Sequence, residues 1–176
     1  MKKQKSRAQA PTLRTAVRGD VKRIHELIRQ HAQEGRLLPR ELNELNVHAD
    51  RFVVAVDGRG SVVACGELAP LSHSLAEIRS LVVSEKRRGA GVGRTVVDEL
   101  RRRAQAHGYD ELCVFAHQPG YFAHMGFSIV PHTWLPEKIA VNCRTCALFR
   151  SCGQYAMVAD LEPMRDRRAA EHALHV

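Results

Sequence analysis

The run Arg88-Gly89-Ala90-Gly91-Val92-Gly93 places three glycines within six residues. Glycine lets the backbone approach a ligand closely and leaves N–H groups unshielded, as an anion requires. Lys86, Arg87, Arg88 and Arg94 surround the run. Together they predict an anion cradle, best matched to a pyrophosphate. A nucleoside-triphosphate loop would continue Lys-Ser or Lys-Thr, whereas Arg94-Thr95 follows here. A dinucleotide fingerprint belongs in a parallel unit, whereas the strands before this run read as antiparallel. A second group is Glu77, Arg79 and Leu81, which alternate on one face of an expected strand. His117 follows an apolar run, and histidine exchanges protons near neutral pH. A third group is Cys143, Cys146 and Cys152, spaced C-x2-C-x5-C. Such a pair suits a metal, but a closed zinc site takes four ligands. A fourth could come from a histidine such as His132, or from Cys113 or Cys65. The other readings are small loop side chains near the substrate and a redox pair. No metal is expected, and the three cysteines are weak candidates for one.

The elements that must position these groups read as follows. Thr12 to Val17 alternates as a strand. Asp20 can cap a helix that carries Val21, Ile24, Leu27 and Ile28 on one face and stops at Gly35. Pro39 can start a short helix over Arg40 to Asn46. Arg51 to Asp57 and Ser61 to Leu71 are strands joined by the turn Asp57-Gly58-Arg59-Gly60. Leu75 to Val83 is a third strand of this set. The glycine run opens a helix over Arg94 to His107, which Gly108 stops. Glu111 to Ala116 is a buried strand, Pro119 to His124 a short helix, and Gly126 to Val130 a strand. Pro131 to Gly153 is expected to be irregular, and Gln154 to Leu161 is the last strand. The order β-α-α-β-β-β-α-β-α-β-β predicts a single mixed α/β domain over residues 12–161. A basic tail, 1–11, precedes it and a charged tail, 162–176, follows.

A chain of 176 residues suffices for one domain with a real core. No apolar run exceeds five residues, as in Phe52 to Val56, so none can span a bilayer. The basic start has no apolar stretch after it, so no secretory leader is expected. Five cysteines, an odd number thinly spread, suit the reducing cytoplasm. The net charge of +8 divides between two places: Lys2, Lys3, Lys5 and Arg7 in the tail, and the stretch from Glu85 to Arg103. The rest of the chain is balanced. A nucleic-acid module would interleave aromatics with its basic residues for stacking, but aromatics are 5% of the chain and neither stretch contains one.

Arg88-Gly89-Ala90-Gly91-Val92-Gly93, the strand Leu81-Val82-Val83 before it and the later Met125-Gly126-Phe127 resemble the GCN5-related N-acetyltransferases, over Thr12 to Leu161. The resemblance implies acetyl-CoA as co-substrate. The pyrophosphate would lie on Arg88, Gly89, Ala90, Gly91, Val92, Gly93 and Arg94, and the pantetheine arm along Leu81, Val82 and Val83. Ala76-Glu77-Ile78, Tyr121-Phe122, Leu37-Leu38-Pro39-Arg40 and Trp134-Leu135-Pro136-Glu137-Lys138-Ile139 are similar to the short amino-acid N-acetyltransferases that make N-acetylglutamate, the first step toward arginine. That likeness implies Arg40, with Arg79, as substrate-binding residues, a guanidinium being suited to a carboxylate. It makes Glu77 and His117 the catalytic candidates, because an ammonium must lose a proton before it can attack a thioester. Many superfamily members place a tyrosine acid where Phe122 stands here. Tyr121 is adjacent but should point elsewhere, and a thiol with a pKa of about 8.5 needs little help to leave. The partner expected is a small amino acid, with no membrane and no nucleic acid, and a homodimer is open as the assembly. Another small amine, glutamine, or a protein lysine or N-terminus is the alternative acceptor, and a basic binding module or a non-catalytic CoA-binding regulator is the rival class.

Overall fold

The computed structural model describes residues 10–162. The two tails fall almost wholly outside them. The strands are β1 (Thr12–Thr15), β2 (Phe52–Val56), β3 (Val62–Pro70), β4 (Leu75–Val83), β5 (Glu111–Ala116), β6 (Ser128–Val130) and β7 (Tyr155–Asp160). The helices are α1 (Val21–Gln33), α2 (Leu42–Val47), α3 (Val92–Ala106), α4 (Pro119–Ala123) and α5 (Pro136–Val141). The strands form one sheet in the order β1-β2-β3-β4-β5-β7-β6, so the class is mixed α/β, as the element order predicts. By contacts the chain divides into two compact units, one holding residues up to Ala69 with Ile78–Leu100, the other Pro70–Glu77 with the chain from Arg101.

In the first unit, α1 buries Val21, Ile24, Leu27, Ile28 and His31, a single stripe at helical spacing. The stripe packs with Leu45, Phe52, Val54, Val62, Cys65 and Val82 into one core. The helix ends in a Schellman motif, with Gly35 N–H bonding Ala32 and Arg36 N–H bonding His31. Its start differs from the expectation. Asp20 has helical angles, and its carboxylate turns back to accept the Val17 N–H at 2.8 Å and two bonds from Arg14. Asp20 therefore closes the turn before α1 instead of capping the helix. On the other face of the sheet, a Cβ on Gly66 would meet Leu100 Cδ1 at 2.9 Å and Val96 Cγ1 at 3.1 Å. Glycine is what lets α3 sit so close to β3.

In the second unit, β7 pairs antiparallel with both β5 and β6. Leu75, Cys113, Leu135 and Ala156 form its core, with Phe115, Val130 and Val158 packed against them. The segment expected to be irregular is not. Pro136 occupies the first turn of α5, where its missing N–H costs nothing, and 3-10 turns hold His132–Trp134, Cys143–Thr145 and Phe149–Ser151. Each piece is too short to leave a periodic signal.

The strand β4 departs from strict alternation. Ser80 has φ of +53°, the one positive value outside glycine among the described residues. Gly66 and Glu67 are neighbours on β3 and so face opposite sides of the sheet. Arg79 bonds Glu67, whereas Leu81 touches the Gly66 side. Arg79 and Leu81 thus lie on opposite faces, although their spacing predicts one. The irregular residue between them reverses the parity, as a β-bulge does.

Candidate active site

The glycine run forms the turn into α3. Gly89 and Gly91 have φ of +75° and +78°, a region that residues with a Cβ rarely adopt. Nothing lies within 4 Å of where their Cβ atoms would be, so this face of the loop is open. The N–H groups of Val92, Gly93 and Arg94 have no carbonyl within α3 to bond, while Thr95 N–H already bonds Gly91. These donors and the helix dipole suit an anion. The Arg88 side chain holds the loop in place. Its Nε donates to Val83 O at 3.4 Å and its Nη2 to His31 Nε2 at 2.9 Å. His31 Nδ1 in turn donates to Leu27 O at 2.9 Å, so the ring has one donor and one acceptor, the pattern of a neutral imidazole. The exposed Arg94 lies 3.9 Å from Asp98. Leu81, Val82 and Val83 end β4 just before the loop.

The same unit joins Arg40 and Arg79. Arg40 precedes α2, which begins two residues later than expected. Its Nε and Nη2 donate to the two oxygens of Glu44 at 2.9 and 2.7 Å. Its Nη1 donates to Glu67 Oε2 at 2.9 Å and to Ser80 Oγ at 2.8 Å. Burial works against the Arg40 charge, but its bond to Glu44 and the charge and bond of Glu67 outweigh it and raise its pKa. The bond from Arg40 holds the Glu44 carboxyl below the usual range against partial burial. Arg79 grips Glu67 from the other side, Nε to Oε2 at 2.8 Å and Nη2 to Oε1 at 3.1 Å. Glu67, wholly buried, is the hinge of the group and was not singled out from the sequence. Its signal was an acid in the middle of the otherwise apolar strand Val62–Ala69.

In the second unit, Glu77 is buried and both its oxygens accept from Lys138 Nζ at 2.7 Å. Lys138 also reaches Asn142 Oδ1 at 3.3 Å and lies 5.1 Å from the Phe115 ring centre. It too was not assigned a role from the sequence. His117 is exposed at the end of β5, with Nδ1 3.9 Å from the position of a Cβ on Gly153. Among the described residues no hydrogen bond joins His117 to Glu77. Phe122 turns inward onto Phe127, and Tyr121 is exposed. Cys143 and Cys146 are half-buried and Cys152 is exposed. Burial raises the Cys143 thiol pKa, with Lys138 opposing. Among the described residues no three His, Cys, Asp or Glu side chains are grouped to hold a metal ion.

A family model described as the acetyltransferase (GNAT) family matches residues 20–127. This chain belongs to the GNAT acetyltransferase family. It is an N-acetyltransferase, and its co-substrate is acetyl-CoA. Among its relatives, an uncharacterized N-acetyltransferase of Chlorobaculum tepidum is 33% identical over 85% of this chain and 96% of its own. An amino-acid acetyltransferase of Mycobacterium tuberculosis is 32% identical over 73% of this chain and 75% of its own. Among solved structures, the N-acetylglutamate synthase of Neisseria gonorrhoeae, complexed with coenzyme A and N-acetyl-glutamate, superposes with a TM-score of 0.78 at 25% identity. The match covers 89% of this GNAT chain and 36% of the synthase, so this chain spans about a third of that protein's length. The open glycine turn leads directly into the N-terminus of the 15-residue α3, whose free N–H groups suit an anion.

Proposed function

We propose that this acetyltransferase acetylates the α-amino group of L-glutamate, the reaction of an N-acetylglutamate synthase at the head of arginine biosynthesis. The observation that carries the reading is the likeness to an amino-acid acetyltransferase at 32% identity over about three quarters of both chains. The paired guanidiniums of Arg40 and Arg79 support it, since a carboxylate-bearing amine needs such a partner.

The co-substrate supplies an acetyl group activated as a thioester. The residues of this chain divide the remaining work. Arg88 to Arg94 hold the diphosphate through backbone N–H groups, with the Arg88 side chain as the brace. Leu81 to Val83 line the path of the pantetheine arm. Glu77 takes the proton that the substrate ammonium must lose. An ionised carboxylate has about four lone-pair sites, so Glu77 can keep Lys138 and still accept from a second donor. His117 is the second proton carrier, exposed and able to exchange with water. The setting is the cytoplasm, where free thiols such as the five here remain reduced. Among the described residues no helix is long and apolar enough to cross a membrane.

The test is CoA release from acetyl-CoA with single amino acids. Glutamate-dependent release, with N-acetylglutamate as product, is the expected result. Release with lysine-bearing peptides, glutamine or a simple amine, and none with glutamate, would move the enzyme to another acceptor.

A further inference from the structure

The apolar stripe of α1 ends on a polar side chain. Val21, Ile24, Leu27 and Ile28 are followed at helical spacing by His31, which is buried with them. A leucine there would simply continue the core. The histidine instead has both ring nitrogens committed to partners that play one role each. Leu27 O can only accept, so Nδ1 carries the proton. A guanidinium can only donate, so Nε2 is the acceptor for Arg88 Nη2. The ring cannot turn over without breaking both bonds. Its backbone is held too, because Arg36 N–H closes the helix end on the His31 carbonyl at 3.0 Å. His31 is thus a fixed acceptor, built on α1 and bonded to the first residue of the glycine loop, 57 positions away.

That loop needs an anchor. Gly89 and Gly91 have no Cβ to restrict them, and glycine loses more conformational freedom on ordering than any other residue. On one side of them α3 begins. On the other stands Arg88, whose side chain has three neighbours. Val83 O accepts from Nε at 3.4 Å, a long bond to a residue close in sequence. Glu34 Oε2 lies 3.8 Å from Nη2, but its side chain is 45% exposed, and a solvated pair contributes little. His31 offers the shortest bond, 2.9 Å, and the most buried partner of the three.

We propose that His31 is a positioning residue for acetyl-CoA: by holding Arg88 it keeps the glycine loop ready for the diphosphate before the co-substrate arrives. A loop already ordered need not be ordered during binding, so its anchor shows in the affinity. The proposal rests on the assignment of the loop to the diphosphate, and it is independent of which amine accepts the acetyl group.

The experiment is a calorimetric titration with acetyl-CoA, which requires no acceptor, alongside a urea midpoint for each variant. His31→Phe keeps a buried ring and removes the acceptor. Its Kd should rise about 10-fold, the lower end for a lost hydrogen bond to a charged group. His31→Leu, which continues the apolar stripe, should show the same rise, so the test does not depend on one variant folding. His31→Gln can set its amide oxygen near the place of Nε2 and should recover most of the affinity. Glu34→Gln should bind within about twofold of wild type, since that pair is solvated. Arg88→Gln should weaken binding, and adding His31→Phe to it should cost nothing more, because the two residues act through one bond. With any amine the enzyme accepts, kcat at saturating acetyl-CoA should hold within about twofold in His31→Phe while the KM for acetyl-CoA rises. Wild-type Kd in folded His31→Phe and His31→Leu would overturn the proposal. So would a full His31→Phe effect on top of Arg88→Gln, which would make the role of His31 one of general stability. A Glu34→Gln loss as large as that of His31→Phe would overturn it as well, by making charge the anchor. Wild-type protein that does not bind acetyl-CoA removes the loop assignment itself. Tight wild-type binding with silent His31 variants removes this inference alone.

Discussion

Glu77 and Lys138 act as one unit, since each oxygen of the carboxylate lies 2.7 Å from the same ammonium. A buried carboxylate without a cation would be costly, so the pair is what allows an acid inside β4. Glu77→Gln keeps the shape and removes the proton acceptor. It should lower kcat by about 10²-fold or more while the KM for acetyl-CoA stays near the wild-type value. Unchanged turnover would take the base role away from Glu77. The cysteines divide at the same scale. Burial pushes the Cys65 thiol up to about 12, and it pushes Cys113 up as well. A thiol that does not ionise does not react. A disulfide reagent at pH 8 should label Cys143, Cys146 and Cys152 in the native protein, with Cys152 fastest. Cys65 and Cys113 should react only after denaturation. Fast labelling of all five in native protein would contradict the burial described here.

At the scale of elements, α3 both presents the glycine loop and covers β3. The covering depends on Gly66. An added methyl would press on Leu100 and Val96 at 2.9 and 3.1 Å, and one of the side chains would have to give way. Gly66→Ala should destabilise by about 1–3 kcal/mol, an ordinary overpacking cost, read as a lower urea midpoint at unchanged slope. An unchanged or raised midpoint would show that α3 yields without strain. The loop itself is tied to α1 through Arg88 and His31 and to β4 through Val83. Its conformation is thus tied to α1, 57 positions away at His31, as well as to the adjacent end of β4.

For the whole molecule, pH dependence follows from its carboxylates. Asp20 is held below the ordinary range by its bond to Arg14, against burial, and by the Val17 N–H. Glu44 is lowered by Arg40 in the same way. A carboxyl whose folded pKa lies below its unfolded value stabilises fully above the unfolded value, about 4. That contribution is lost as pH falls through the folded value. From these two groups the urea midpoint should be flat from about pH 5 upward and fall below about pH 4. Asp20→Asn should flatten part of that acid slope, and an unaltered slope would show that Asp20 has no share in it. The charge of +8 also acquires locations. Part of it lies in the N-terminal stretch, and part in Glu85 to Arg103, the glycine loop and the start of α3.

The mixed α/β class, the limits of β4 and β5 and the glycine turn before α3 were legible in the sequence because each depends on local spacing. Runs such as Phe52 to Val56 and Glu111 to Ala116 show a strand by composition alone, and glycines at 89 and 91 show a backbone that needs positive φ. Ser80 was not legible, because a single irregular residue leaves the strand's composition intact while reversing which face Leu81 takes. Nor was α5, six residues long with too few turns for a stripe. The pairings of charged residues around the candidate site were not legible either. Glu67 lies 27 positions from Arg40, and Lys138 lies 61 from Glu77. Pairing at such separations is set by where the sheet and the helices bring backbones together. The sequence by itself therefore determined the mixed α/β class, most of the strands and the family. Only the tertiary structure decided which charges meet, because a buried ion is placed by the burial around it and not by its neighbours in the chain.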